Sequence, residues 1–133
     1  GLRVSYLAPH ALPSSASLQA MHVALTPDIE SIYAQADFVI CGGGLTKYEC
    51  AYAGIANACL SLTALQDQDT QVMAALGLTM NLGLAEMLKP SHLHRQISEF
   101  IHDPKARTSQ SRASASQWDA AASYRTAQAL LAL

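Results

Sequence analysis

Five short apolar runs punctuate this chain, at intervals that leave room for helices. They are Val4 to Leu7, Met21 to Leu25, Phe38 to Cys41, Ala58 to Leu62 and Leu78 to Leu82. Most are continuous rather than alternating, which predicts strands buried on both faces. Between them the periodicity changes. Ile29, Ile32 and Tyr33 share one helical face, and Thr26-Pro27-Asp28 supplies a cap, a first-turn proline and an acid that complements the dipole. A helix is predicted from Leu45 to Ala53, ended by Gly54 in the left-handed conformation. Another runs through Val72, Met73 and Leu76 to Gly77.

The remaining segments read less sharply. Pro13 to Gln19 is a short helix or loop. Thr63 to Asp69 reads as a polar loop, with Gln66, Asp67, Gln68, Asp69 and Gln71 crowded together. Pro90-Ser91 starts a helix whose apolar stripe is Leu93, Ile97, Phe100 and Ile101, closed by Asp103-Pro104. Residues 105–117 are Ser- and Ala-rich, a surface segment that is helical or loose, with the serines on a solvated face. Trp118 to Leu133 predicts a terminal helix. Strands alternating with helices over short connections predict an α/β fold. The expectation is a Rossmann-like parallel sheet of about five strands, helices on both faces, in one domain over 1–133. Ligands of such sheets bind at the carboxyl ends of the strands. The turn after Cys41 and the polar cluster after Leu62 both fall there.

Composition narrows the function. Half of the 133 residues are hydrophobic and 14% are charged, a balance for extensive burial rather than disorder. A net charge of -2, with scattered Lys and Arg, gives no field for nucleic acid. No apolar run is long enough to span a bilayer, so no transmembrane segment is expected. The chain opens with Gly-Leu-Arg-Val and without an initiator Met, and reads as a piece of a longer protein. Cys41, Cys50 and Cys59 match no zinc spacing and read as buried reduced thiols, which fits a cytoplasmic protein. His92 and His94 lie two apart on a helix and face different ways, a poor metal pair; His10 reads as a loop histidine. No metal and no cofactor is expected.

The chemistry concentrates in Cys41-Gly42-Gly43-Gly44-Leu45-Thr46-Lys47-Tyr48-Glu49. A strand, a glycine turn and a helix start form one arrangement that cradles phosphate, because glycines admit the anion close to the backbone. The same residues have a structural reading. Thr46 and Glu49 fit the Thr-x-x-Glu capping box, and the glycines make a tight turn. The dinucleotide fingerprint is absent, since Lys47 stands where its third glycine would be, and so is the P-loop pattern. Lys47 reads as a solvated side chain.

The run from Ala36 to Ile55 resembles the nucleotide-binding half of GT-B glycosyltransferases. It is most similar to the branch of the lipid-linked N-acetylglucosamine transferase of peptidoglycan synthesis and the UDP-sugar hydrolase of the pseudaminic acid pathway, with its spore-coat-polysaccharide relatives. The shared features are Ala-Asp before the strand, the Gly-rich turn, Leu-Thr, Glu, and a Gly before the next strand; a loop rich in Gln and Asp follows that strand. The likeness covers roughly Asp28 to Gly83. It implies the C-terminal half of a GT-B fold that binds a UDP-sugar donor. Gly43, Gly44, Leu45 and Thr46 would meet the diphosphate and Glu49 the ribose. Gln66, with Gln68 or Gln71, would meet the donor sugar or the phosphates.

The resemblance also has gaps. The usual Pro after the helix-ending glycine is Ala56 here. The family's opening strand and its Gly-rich turn have no counterpart, and the acceptor lobe with the catalytic base is absent. The implied partners are a UDP-sugar and a missing N-terminal lobe or partner chain, with pairing to a second copy as the alternative. The implied setting is cell-envelope or surface polysaccharide synthesis, in the cytoplasm or against the inner membrane. A UDP-sugar hydrolase and a non-catalytic nucleotide-binding or protein-interaction domain are the rival readings.

Overall fold

The computed structural model describes residues 3–11, 20–24 and 28–132. The chain divides into two units, Gly1–Ala34 and Gln35–Leu133, each with its own parallel sheet. In the first, β1 (Val4–Leu7) pairs with β2 (Ala20–Val23), Val4 opposite Ala20 and Leu7 opposite Val23. His22 Nε2 donates to the Ala8 carbonyl at 2.9 Å and its ring lies 5.2 Å from that of Tyr6. The helix α1 (Ile29–Tyr33) starts at Asp28, whose carboxylate accepts from the Ser31 N–H at 3.3 Å and the Ser31 hydroxyl at 2.7 Å. Asp28 therefore caps this helix. Thr26 and Pro27, and the segment from Pro13 to Gln19, lie outside the described residues.

The second unit holds a parallel sheet in the order β3 (Val39–Gly42), β4 (Asn57–Ser61), β5 (Met80–Leu84). The five parallel strands of the sequence reading are thus present, divided between a pair and a triplet. β4 is central in the triplet, and its alternation sorts the two faces. Ala58 and Leu60 point to one side and join Ala56, Leu82, Phe38 and Phe100 in an apolar core. The Phe38 and Phe100 rings meet edge-on at 6.0 Å. The helix α4 (Pro90–His102) covers that face with Leu93, Ile97 and Phe100, three of the four residues of the stripe its sequence spacing predicts.

Asn57, Cys59 and Ser61 point to the other side, under α2 (Thr46–Tyr52) and α3 (Ala64–Ala75), where Ala51, Met73 and Leu78 form a smaller core. Gly54 and Gly77 take positive φ, at 69° and 74°, and end α2 and α3 as expected.

Three expectations need correction. Thr63 to Asp69 is not a loop. Thr63 is the N-cap of α3, accepting the Gln66 N–H at 3.2 Å, and the polar residues form the helix's first turns. β5 does not end at Leu82; it starts later and runs to Leu84 through a bulge opposite Cys59/Leu60. There Gly83 takes φ 97° and its N–H is held by Asn81 Oδ1 at 2.7 Å. Finally, the polar segment after Asp103 is the ordered helix α5 (Pro104–Gln117), capped by Asp103 through the Ala106 N–H at 2.9 Å. It is not a solvated face throughout. Ser114 is buried, the Ser111 hydroxyl donates to the Gly54 carbonyl, and Gln110 both accepts from the Asn57 N–H (2.5 Å) and donates to its carbonyl (3.1 Å). A 3-10 turn at Ala85–Met87 and a terminal helix α6 (Ala122–Leu131) complete the described chain.

Candidate functional site

The glycine turn leaves β3 at its carboxyl end and leads through Leu45 into α2. Its glycines are there for different reasons. Among the described residues only Gly54, Gly77 and Gly83 take a positive φ, so backbone conformation does not require glycine at 42, 43 or 44. Gly43 is required by packing. A Cβ there would lie 2.8 Å from Gln66 Cβ and 3.0 Å from Ser61 Oγ. Gly42 and Gly44 have nothing within 4 Å of the corresponding position, and both are exposed. A side chain would fit at Gly44 as far as this chain's own atoms are concerned. What glycine offers at that position is access to its backbone.

Lys47 is the main correction at the site. It is 1% exposed, not solvated. Its ammonium donates to the Gly43 carbonyl at 2.6 Å and to Thr70 Oγ1 at 3.3 Å, and pairs with Asp69 Oδ2 at 2.7 Å. A buried ammonium persists only when paired and hydrogen-bonded, and these three partners use its three donors. The Tyr48 hydroxyl donates to Asp69 Oδ2 at 2.5 Å. Those two bonds, the Lys47 one first, hold the Asp69 carboxyl below its ordinary range. The Tyr48 phenol is raised to about 12, by its bond to Asp69 and then by burial. Thr70 ties the cluster together, donating to the Gln66 carbonyl at 2.7 Å and meeting Ser61 Oγ at 3.3 Å.

The three cysteines are free, with Cys50 and Cys59 buried. Cys41 and Cys59 are register partners on β3 and β4. Bonding with Cys50 and then with Cys59 raises the Cys41 thiol, whereas the Cys41 bond lowers Cys59. Among the described residues no group of three or more His, Cys, Asp or Glu converges to hold a metal ion.

The other sequence-predicted residues separate. Thr46 is the first residue of α2, and the cap position falls on Leu45, which makes no side-chain cap bond; the capping box with Thr46 as its cap is therefore not formed. Glu49 lies one turn in, exposed on α2. Gln66 adjoins Gly43, and its Oε1 accepts the Leu62 N–H at 2.9 Å. Gln68 and Gln71 are exposed on α3, and Gln71 Nε2 donates to Asp67 Oδ2 at 2.6 Å. The structure thus brings Gly43 and Gln66 together and leaves Gln68 and Gln71 on the helix exterior. A cavity of about 500 Å³ lies at the opposite, amino ends of β3 and β4, lined by Asp37, Ile55, Arg107 and Arg112 among others. Arg107 there is already committed: it donates to the Phe100 and Ile101 carbonyls at the end of α4 and packs on the Phe38 ring.

No protein-family model matches the sequence, and no curated protein matches it. A solved structure does. MurG from Acinetobacter baumannii aligns with a TM-score of 0.74 at 20% identity, over 89% of this chain and 35% of that one. The chain spans little more than a third of the length of that protein. No helix among the described residues is long and apolar enough to cross a membrane. MurG is a GT-B glycosyltransferase, and this chain has the α/β fold of the C-terminal domain of such an enzyme.

Proposed function

We propose that this chain is the donor-binding part of a nucleotide-sugar glycosyltransferase, and that its ligand is a UDP-type sugar. The observation that carries the reading is Gly44, an exposed glycine at the carboxyl end of a parallel strand that neither φ nor internal packing explains. Close approach of a ligand to the backbone does explain it. In this reading Gly43, Gly44, Leu45 and Thr46 line the diphosphate and Glu49 takes the ribose hydroxyls. Gln66, beside the turn, is the glutamine placed for the donor, ahead of Gln68 and Gln71. As the anomeric C–O bond breaks, charge collects on the departing diphosphate. Fixed N–H donors at the turn stabilise that charge more than the ground state, which is how such a site accelerates the reaction. α2 has only seven residues, so its dipole adds little and the turn's own peptides carry the effect.

Leu45, Leu62 and Leu65 are 77%, 67% and 76% exposed, at or just beyond the carboxyl ends of β3 and β4. Large apolar side chains left open beside a site favour a covering surface. We assign that surface to an acceptor-binding lobe or a partner chain, with a second copy of this chain as the alternative. The full protein then acts in surface polysaccharide synthesis, in the cytoplasm or against the inner membrane. A hydroxyl acceptor makes it a transferase and water makes it a hydrolase. Calorimetric titration with UDP and UDP-N-acetylglucosamine tests the reading. Saturable binding is expected, weakened by about 1–3 kcal/mol in Glu49→Ala, the usual cost of a lost charged hydrogen bond. A folded chain that binds neither ligand would return this unit to the rival reading, a protein-interaction domain.

A further inference from the structure

We infer that Lys47 is a positioning residue: from inside the fold it clamps the Gly43–Gly44 peptide so that the Gly44 N–H faces outward, toward an anionic ligand. No peptide in the described chain is cis, so the carbonyl and the N–H of the Gly43–Gly44 peptide point in opposite directions. The carbonyl points inward and accepts from the buried Lys47 ammonium at 2.6 Å. The N–H on the other side of the same plane therefore points away from the interior, at an exposed residue without a side chain to screen it. It meets no backbone carbonyl among the described residues.

A peptide between two glycines is among the easiest to rotate, because neither residue restricts φ or ψ strongly. Left alone, such a turn would spend its time in many orientations, and ordering it would weaken binding. Lys47 removes that freedom. Its ammonium is itself fixed by Asp69 and Thr70, and Asp69 is fixed by Tyr48. A cation on the carbonyl also polarises the peptide and makes its N–H a better donor. A stability-only ion pair with Asp69 would not require the third contact, to Gly43. This inference rests on the anion site proposed at the turn, and its test separates the two.

The test uses the 133-residue chain labelled with 15N, as wild type, Lys47→Met and Leu82→Ala. Leu82 packs with Ala56, Ala58 and Phe100 on the other face of the sheet, and serves as a control that is destabilised without touching the clamp. The readouts are the heteronuclear NOE of the Gly44 amide and the affinity for UDP, at a temperature where all three are folded by circular dichroism. In Lys47→Met the Gly44 amide should lose its order, and UDP affinity should fall at least tenfold. In Leu82→Ala both should stay at the wild-type value. A Gly44 amide as ordered in folded Lys47→Met as in wild type would overturn the inference. So would equal losses in Leu82→Ala. If Lys47→Met does not fold, the wild type decides. Scalar coupling between Lys47 Nζ and the Gly43 carbonyl carbon supports the clamp, and an uncoupled, rapidly exchanging ammonium contradicts it. An ordered, Lys47-dependent Gly44 amide in a chain that ignores UDP would sustain the clamp and remove the ligand assignment.

Discussion

The two faces of the β3–β4–β5 sheet are built on different chemistry. Under α4 the face is apolar: Ala56, Ala58, Leu82 and Phe100 pack with Phe38, Leu93 and Ile97. Under α2 and α3 the face is a polar ladder, with Asn57, Cys59 and Ser61 on β4, Thr70 on α3 and Lys47 on α2, each no more than 1% exposed. The apolar face contributes stability and ends at nothing. The polar face ends at the glycine turn, where Ser61 and Gln66 press on Gly43 and Lys47 holds its carbonyl. Hydrophobic contacts are non-directional and fix a sheet against a helix. Hydrogen bonds are directional and fix the orientation of one peptide. One face therefore makes the unit fold, and the other shapes the surface it presents.

Substitutions should break the two faces differently. The largest effect falls on the apolar side. Leu82→Ala removes a side chain that is 1% exposed, and chemical denaturation should show a loss of about 2–5 kcal/mol. Calorimetry on the still-folded fraction should find UDP affinity unchanged. On the polar side, Thr70→Val keeps the shape and deletes the hydroxyl that meets Lys47, Ser61 and the Gln66 carbonyl. A loss of about 1–3 kcal/mol is expected, from donors and acceptors left unpaired. Unlike Leu82→Ala, this change should weaken UDP binding as well.

The outer edge of the polar cluster gives a smaller effect with a pH signature. Tyr48→Phe deletes the bond to Asp69, which is 44% exposed on its side chain, so no more than about 1 kcal/mol is expected. The sign follows from the shifts. Asp69 is depressed, so its contribution is present above the ordinary carboxylate range and fades as pH falls through and below it. Tyr48 is raised from 10.0 to about 12, so its contribution is full below the lower value and lost as pH rises through the upper one. The gap in melting temperature between wild type and Tyr48→Phe should be widest around neutral pH and close at both extremes. A gap that does not vary with pH would break the link between Tyr48 and Asp69.

The same contrast explains what could be read from the sequence. The apolar face was legible because its signal is periodicity: Leu93, Ile97 and Phe100 mark α4, and the runs at Phe38 and Ala58 mark strands. Gly54 and Gly77 were legible as caps because left-handed φ favours glycine. The polar face was not legible, because a buried Lys47 or Gln110 looks in sequence like a solvated one. Its burial depends on partners 22 and 53 residues away, Asp69 for one and Asn57 for the other. One signal was available. Thr63 and Gln66 stand at capping-box spacing, and Gln66, Asp69, Thr70 and Met73 recur at helical spacing. Together they announce α3 and its inward polar edge where a loop was expected.

The role proposed for the glycine turn is to admit a ligand, and substitution of Gly44 can break it. Nothing lies within 4 Å of where its Cβ would stand, so Gly44→Ala should melt with the wild type. Calorimetric titration with UDP should then show saturable binding to the wild type and at least a tenfold loss in Gly44→Ala, worth about 1.4 kcal/mol or more. Equal affinity in the two chains, or no binding by a folded wild type, would contradict the account.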